Sequence, residues 1–118
     1  MDKTQLLARV PLFTELELAD LQRVASATRS ESYAADADIV RIGDTGHSLY
    51  VVLEGNVVVV YPGRSADVEL ARLGAGEFFG EMAILNEKPR SATVRALDNV
   101  TVLALEKDDF TRIVMESP

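Results

Sequence analysis

The chain contains no cysteine. That absence excludes disulfides, thiolate metal sites and a cysteine nucleophile, and it accords with a reducing compartment. Histidine is almost as scarce, with His47 the only one. A metal centre built on several histidines is therefore impossible, and a Ser-His-Asp triad could form only around that residue. Basic residues are outnumbered: 12 Lys and Arg against 19 Asp and Glu give a net charge of −7. They are also scattered, whereas nucleic-acid-binding modules gather them on one face. Binding of DNA or RNA by this chain alone is not expected, and an anionic membrane surface is disfavoured for the same reason. Long apolar runs are missing too. A run such as Val57 to Tyr61 falls far short of the ~18 residues of a membrane span. The start, Met1-Asp2-Lys3, lacks the basic head and apolar core of a signal peptide. The expectation is a cytoplasmic chain with no membrane insertion.

What remains is globular in composition. The 118 residues are 47% hydrophobic and 26% charged, a length and balance that suit one folded domain of roughly 100–150 residues. The opening is helical in pattern. Leu6, Leu7 and Val10 fall at helical spacing, and Pro11 ends that segment. Thr14 followed by Glu17 has the form of a capping box. Leu16, Leu18, Leu21 and Val24 then predict a helix from about Glu15 to Thr28.

From about Tyr33 to Leu73 the pattern changes to strands. Ile39 to Ile42, Leu49 to Leu53, Val57 to Tyr61 and Val68 to Leu73 are β-rich runs. Gly43 to Gly46, Glu54 to Asn56 and Pro62 to Ser65 supply turns between them. Strands of this length at roughly 8–12-residue spacing point to a β-barrel or sandwich. Beyond the Gly74-Ala75-Gly76 turn, Ser91 to Ala96 and Val100 to Leu105 return to strand character. Lys107 to Glu116 is again helical, with Phe110, Ile113 and Val114 on one face.

One segment carries chemistry. It runs Phe79-Gly80-Glu81-Met82-Ala83-Ile84-Leu85, then Pro89-Arg90-Ser91-Ala92-Thr93-Val94. Gly80 permits close backbone approach. A short helix starting at Glu81 would turn its first unpaired N–H groups toward an anion. Arg90 is the residue type best suited to clamp a phosphate, and Ser91 adds a hydroxyl beside it. Glu81 can accept from neutral hydroxyls such as those of a sugar. Together they suit a ligand with both a phosphate and a hydroxyl, and a nucleotide has both. The plainer alternative is that Glu81 and Arg90 form a surface ion pair worth little.

The segment Phe79 to Ala96 resembles the phosphate-binding cassette of the cyclic nucleotide-binding domain family. Catabolite activator-like regulators, protein kinase A regulatory subunits and cyclic nucleotide-gated channels belong to that family. Gly43-Asp44-x-Gly46-x-Ser48-Leu49-Tyr50-x-Val52-x-x-Gly55 is similar to its early hairpin, and Val10-Pro11-Leu12-Phe13 to its helical entry. The resemblance implies a mainly β fold, an eight-stranded, jelly-roll-like β-roll. N-terminal helices, a short cassette helix and a C-terminal helix would flank it.

It also implies one domain over 1–118: a helical entry at 1–29, a roll at 30–106 with the cassette at 78–94, and a C-terminal helix at 107–118. Arg90 matches the arginine that pairs with the cyclic phosphate, and Glu81 the glutamate that accepts from the ribose 2′-hydroxyl. Gly80 and Ala83 match backbone positions against ribose and phosphate, flanked in the cassette by Phe79 and Met82. Ser91 and Ala92 match donors to phosphate. Leu73 matches an apolar position beside the base, and Val59 and Ala71 are further candidates for the lining.

The implied mechanism is binding, without catalysis and without a cofactor. The ligand would be cAMP rather than cGMP, since Ser91 resembles cAMP-type cassettes. The family commonly adds a helix that closes over the base. With these residues ending at Pro118, that lid is expected to be absent, and the effector would be another domain or chain. A larger, even membrane-tethered, protein and a homodimer both remain open. A same-fold protein-interaction domain without nucleotide is the alternative. A cupin-type enzyme is rejected for want of histidines.

Among the remaining candidates, His47 reads as a solvated loop residue and Asp44 as a turn residue bonding within its own turn. Asp36 and Asp38 also read as solvated turn residues, short of a calcium loop. Phe78 and Phe79 read as core.

Overall fold

The computed structural model describes residues 2–81, 84 and 89–116. Two short helical pieces open it, α1 (Lys3–Leu7) and a 3₁₀ turn at Pro11–Phe13. They are followed by α2 (Leu18–Ala27), β1 (Arg29–Tyr33) and β2 (Asp38–Val40). Next come β3 (Ser48–Glu54), β4 (Val57–Pro62) and β5 (Asp67–Leu73). The chain continues through β6 (Phe78–Phe79), β7 (Thr93–Ala96), β8 (Val100–Glu106) and α3 (Lys107–Glu116). The strands form two antiparallel four-stranded sheets, sheet 1 in the order β1-β8-β3-β6 and sheet 2 in the order β2-β7-β4-β5. The architecture is the mainly β roll with flanking helices that the sequence led us to expect.

The alternation of side chains along a strand explains how the layers stack. On β3, Tyr50 and Val52 join a core between the two sheets, with Val57 of β4 and Val94 and Ala96 of β7. Leu49 and Val51 point the other way, into a second core with Leu6, Leu7, Phe13 and Val24. On β8, Val102 and Ala104 face sheet 2 while Leu103 and Leu105 face the helices. Strands β3 and β8 are thus covered on both faces, which is why they read as nearly continuous apolar runs. Sheet 2 has a different exterior. Arg95 of β7 bridges Asp38 of β2 at 2.7 Å and Asp67 of β5 at 3.0 Å, spanning the full width of that sheet.

Several local expectations are corrected. The helix predicted from Glu15 begins only at Leu18, and Glu17 is its N-cap without a side-chain bond. The Thr14–Glu17 capping box does not form, because Thr14 Oγ1 donates to the Pro11 carbonyl at 2.9 Å and so belongs to the 3₁₀ turn. A capping box forms at α1 instead, between Asp2 and Gln5. β1 is an added strand; its sequence Arg-Ser-Glu-Ser-Tyr carries no apolar alternation, and it is defined by pairing with β8 at the sheet edge. β2 stops at Val40, since Arg41 to Asp44 turns, with Asp44 N donating to the Arg41 carbonyl at 3.1 Å. β7 begins at Thr93, two residues after the predicted start. Val114 of α3 is exposed, and that helix joins the core through Phe110 and Ile113. The predicted cassette helix lies largely outside the described residues; within them, Glu81 and Ile84 are helical.

No helix among the described residues is long and apolar enough to cross a membrane. The helical layer should carry much of the stability. Phe13 is fully buried and its ring lies 5.6 Å from that of Phe110 in α3. Phe13→Ala is expected to destabilise the fold by about 3–5 kcal/mol, read from urea unfolding. A loss within about 0.5 kcal/mol, the scale of an ordinary surface change, would contradict this packing.

Candidate functional site

Three backbone contacts place Arg90. Its N–H donates to the Asp44 carbonyl at 2.7 Å, its carbonyl accepts from Gly43 N at 2.8 Å, and Pro89 bridges Thr45. The turn between β2 and β3 thus clamps the residues that lead into β7. Asp44 also accepts from Arg41 N through its own carboxylate at 3.3 Å, within the turn as expected.

The side chain of Arg90 then occupies a seat cut for it. A Cβ on Gly46 would overlap its Nε and Cζ, and a Cβ on Gly80 would lie 2.6 Å from Nη1. Gly80 also has φ +83°, which favours glycine on conformational grounds. The guanidinium lies 5.8 Å from the centre of the Tyr50 ring, within cation–π reach. Tyr50 stacks in turn on Phe79, with ring centres 5.0 Å apart and planes 16° from parallel. Nη2 donates to the Ser48 carbonyl at 2.8 Å.

This seat uses few of the five donors of the group. Among the described residues no carboxylate lies within ion-pair distance of Arg90, so Glu81 and Arg90 are not the surface pair of the plainer reading. Half-burial pulls the Arg90 pKa downward, while Tyr50, Asp44 and Glu106 act the other way. A guanidinium stays protonated at neutral pH even so. Burial also raises the Tyr50 phenol above its usual range. The arrangement is a cation held in place with donors to spare, facing a cavity.

That cavity measures about 360 Å³, the size of small-molecule sites. Gly80, Glu81, Arg90 and Ser91 form a polar end. Val40, Val59, Val94 and the two phenylalanines, Phe78 and Phe79, form an apolar floor. The cavity therefore brings together Phe79, Gly80, Glu81, Arg90, Ser91 and Ala92 of the predicted site. Met82 and Ala83 lie outside the described residues. Leu73 pairs with Val57 and packs against the core between the sheets, apart from the cavity lining. Ala71 is exposed opposite Val59.

Sequence reasoning passed over Ser48 and the steric purpose of Gly46. The signal was present in the Gly-Asp-x-Gly-x-Ser spacing, but only the fold brings that turn against Arg90. His47 is exposed, and its carbonyl accepts from Lys107 N at 2.7 Å. Asp38, expected in a turn, is a strand residue paired with Arg95 and Arg41. Among the described residues no cluster of three or more His, Cys, Asp or Glu could hold a metal ion.

A cavity between two sheets, polar and cationic at one end and apolar at the other, defines a small-molecule-binding β-roll. The model of the cyclic nucleotide-binding domain matches residues 30–117, and the chain belongs to that family. It is 42% identical over 114 residues to a cyclic nucleotide-gated potassium channel of Mesorhizobium japonicum, covering 97% of this chain and 30% of that one. The chain thus spans about a third of the length of such relatives.

Among solved structures, a cyclic nucleotide-binding-like protein of Brucella abortus superimposes with a TM-score of 0.91. At 23% identity over 98% of this chain and 100% of that one, it is a likeness of fold. The regulatory domain of Toxoplasma gondii PKA, co-crystallised with cAMP, superimposes with a TM-score of 0.83 at 34% identity. That match covers 95% of this chain and 44% of the other.

Gly46→Ala tests the seat directly, since the new methyl would take the space of Arg90 Nε and Cζ. The Nε–Hε resonance of Arg90 is expected to move to a solvent-exposed position with the fold retained. An unchanged resonance would contradict the seat.

Proposed function

We propose that this chain is a cAMP-binding regulatory module with Arg90 as its phosphate anchor. The observation that carries this reading is the Arg90 guanidinium, prearranged between Gly46 and Gly80 and facing the cavity with unused donors. A cyclic phosphate bears one negative charge, and a fixed fork of N–H donors matches its oxygens. Ser91 and Ala92 also line the cavity, and the Ser91 hydroxyl and the two backbone N–H groups would donate to the same phosphate.

Glu81, lining the polar end, would accept from the ribose 2′-hydroxyl, with Gly80 letting the sugar approach. Phe79 and the valines of the floor would pack against the flat face of the base. Met82, Ala83 and Leu73 complete the proposed contacts on the strength of the family match alone. The preference for cAMP over cGMP rests on Ser91 and on the likeness to a domain co-crystallised with cAMP.

The boundaries proposed are one domain over 1–118, with its roll at 30–106 and cassette at 78–94. The module acts by binding, without chemistry on the ligand. Its occupancy would be read by an effector domain or chain, in the cytoplasm or on the cytoplasmic side of a membrane-tethered protein. The alternative is a domain of the same fold that serves protein interaction without nucleotide.

Titration calorimetry with cAMP and cGMP separates these readings. Saturable one-to-one binding is expected, tighter for cAMP. Losing one partner of a partly desolvated charge pair costs on the order of 2–5 kcal/mol. Arg90→Ala is therefore expected to weaken binding by about two to three decades, and Glu81→Ala by less. Near-wild-type affinity in Arg90→Ala would refute the assignment. Silence from both nucleotides on folded protein would favour the interaction domain.

A further inference from the structure

A run of polar contacts leads away from the cavity along sheet 1, and the proposed ligand contacts do not use it. It starts where Arg90 Nη2 donates to the Ser48 carbonyl at 2.8 Å. Ser48 is buried, and its own Oγ donates to Glu106 Oε1 at 2.8 Å. The two residues face each other in the β3–β8 register. The same Glu106 oxygen accepts from Arg29 Nη2 at 2.8 Å, and Arg29 Nε reaches Glu31 at 2.8 Å. Those bonds to Glu106 and Glu31 raise the Arg29 pKa.

Glu106 is also the last residue of β8, and α3 starts at the next residue, Lys107. The backbone N–H of Lys107 donates to the His47 carbonyl at 2.7 Å. Residues 46–48 therefore meet the Arg90 guanidinium on one side and the junction of β8 with α3 on the other.

We propose that Glu106 is a positioning residue that fixes Ser48 against Arg90 and so ties the guanidinium to the start of α3. The proposal rests on the reading of the cavity as a nucleotide site. An anion held by the unused N–H groups of Arg90 adds a second pull on the guanidinium, set against its bond to the Ser48 carbonyl. Any shift of that bond moves Ser48, whose hydroxyl and carbonyl belong to one buried residue. Glu106, bonded to that hydroxyl, moves with it, and α3 follows one peptide later. Coupling of this kind requires an element that both ends bias, and the Arg90–Ser48 bond is that element.

The test is amide NMR of the full chain with cAMP, comparing wild type, Glu106→Ala and Glu106→Gln. In wild type, cAMP is expected to shift the amides of Gly80 and Arg90 and also those of Lys107 to Phe110. Glu106→Ala is expected to weaken binding about fivefold, as for coupled neighbours, and to abolish the α3 shifts while the Gly80 shift persists. Glu106→Gln is expected to restore both, because its amide oxygen still accepts from Ser48 Oγ. Full α3 shifts in Glu106→Ala, or no rescue by Gln, would overturn the proposal.

If wild type binds no cAMP, the reading of the cavity falls, and the relay is decided without ligand. Arg90→Lys should then shift the Lys107 to Phe110 amides in an otherwise wild-type chain but not in Glu106→Ala. Absence of that difference overturns the relay.

Discussion

The close approach of the Arg90 guanidinium to Gly46 and Gly80 is the constraint from which the site follows. A side chain at either position would displace the cation. Without the cation the cavity would keep its apolar lining but lose the positive charge that the proposed anion would meet. The seat also explains why the turn between β2 and β3 must lie against residues 89–90. That turn supplies Gly46 and the carbonyl of Asp44, and β3 supplies Ser48 directly after it.

The rest of the fold can be understood as support for that contact. Sheet 1 is held from both sides, by the helices through Leu49, Val51, Leu103 and Leu105, and by sheet 2 through Val52, Val102 and Ala104. Strand β3 is therefore a rigid base for Tyr50 and Ser48, the two residues on which Arg90 rests. Sheet 2 contributes the opposite wall of the cavity through Val40, Val59 and Val94. Its outer face is tied across by the ion pairs of Arg95 with Asp38 and Asp67. Because the arginine is already placed, the proposed anion would require little reorganisation, and prearrangement of this kind favours affinity.

Much of this was legible in the sequence, for physical reasons that differ from one element to the next. β3, β4 and β8 announced themselves because buried strands demand apolar residues. β1 did not, because an edge strand of Arg, Ser, Glu, Ser and Tyr is specified by its partner β8 and not by its own pattern. The false capping box at Thr14 arose because a local motif was read without knowing that Pro11 to Phe13 would claim the threonine. Among the residues lining the cavity, Glu81, Arg90 and Ser91 could be picked out from residue type and spacing. Gly46 and Ser48 could be named only as part of a pattern, since their purpose depends on a contact with Arg90, far along the chain. Leu73, matched by resemblance to a position beside the base, packs against the core between the sheets, as the cavity-lining Val59 also does. The single-residue register of a strand decides such placements, and apolar type alone does not fix it.

The central claim is that a prearranged Arg90 receives a cyclic phosphate. A crystal structure of this chain grown with cAMP tests it most directly. The account predicts the phosphate oxygens within hydrogen-bond distance of the Arg90 guanidinium, about 2.7–2.9 Å, with that group still seated between Gly46 and Gly80. Nucleotide bound with its phosphate elsewhere, or a guanidinium swung out of that seat, would contradict it.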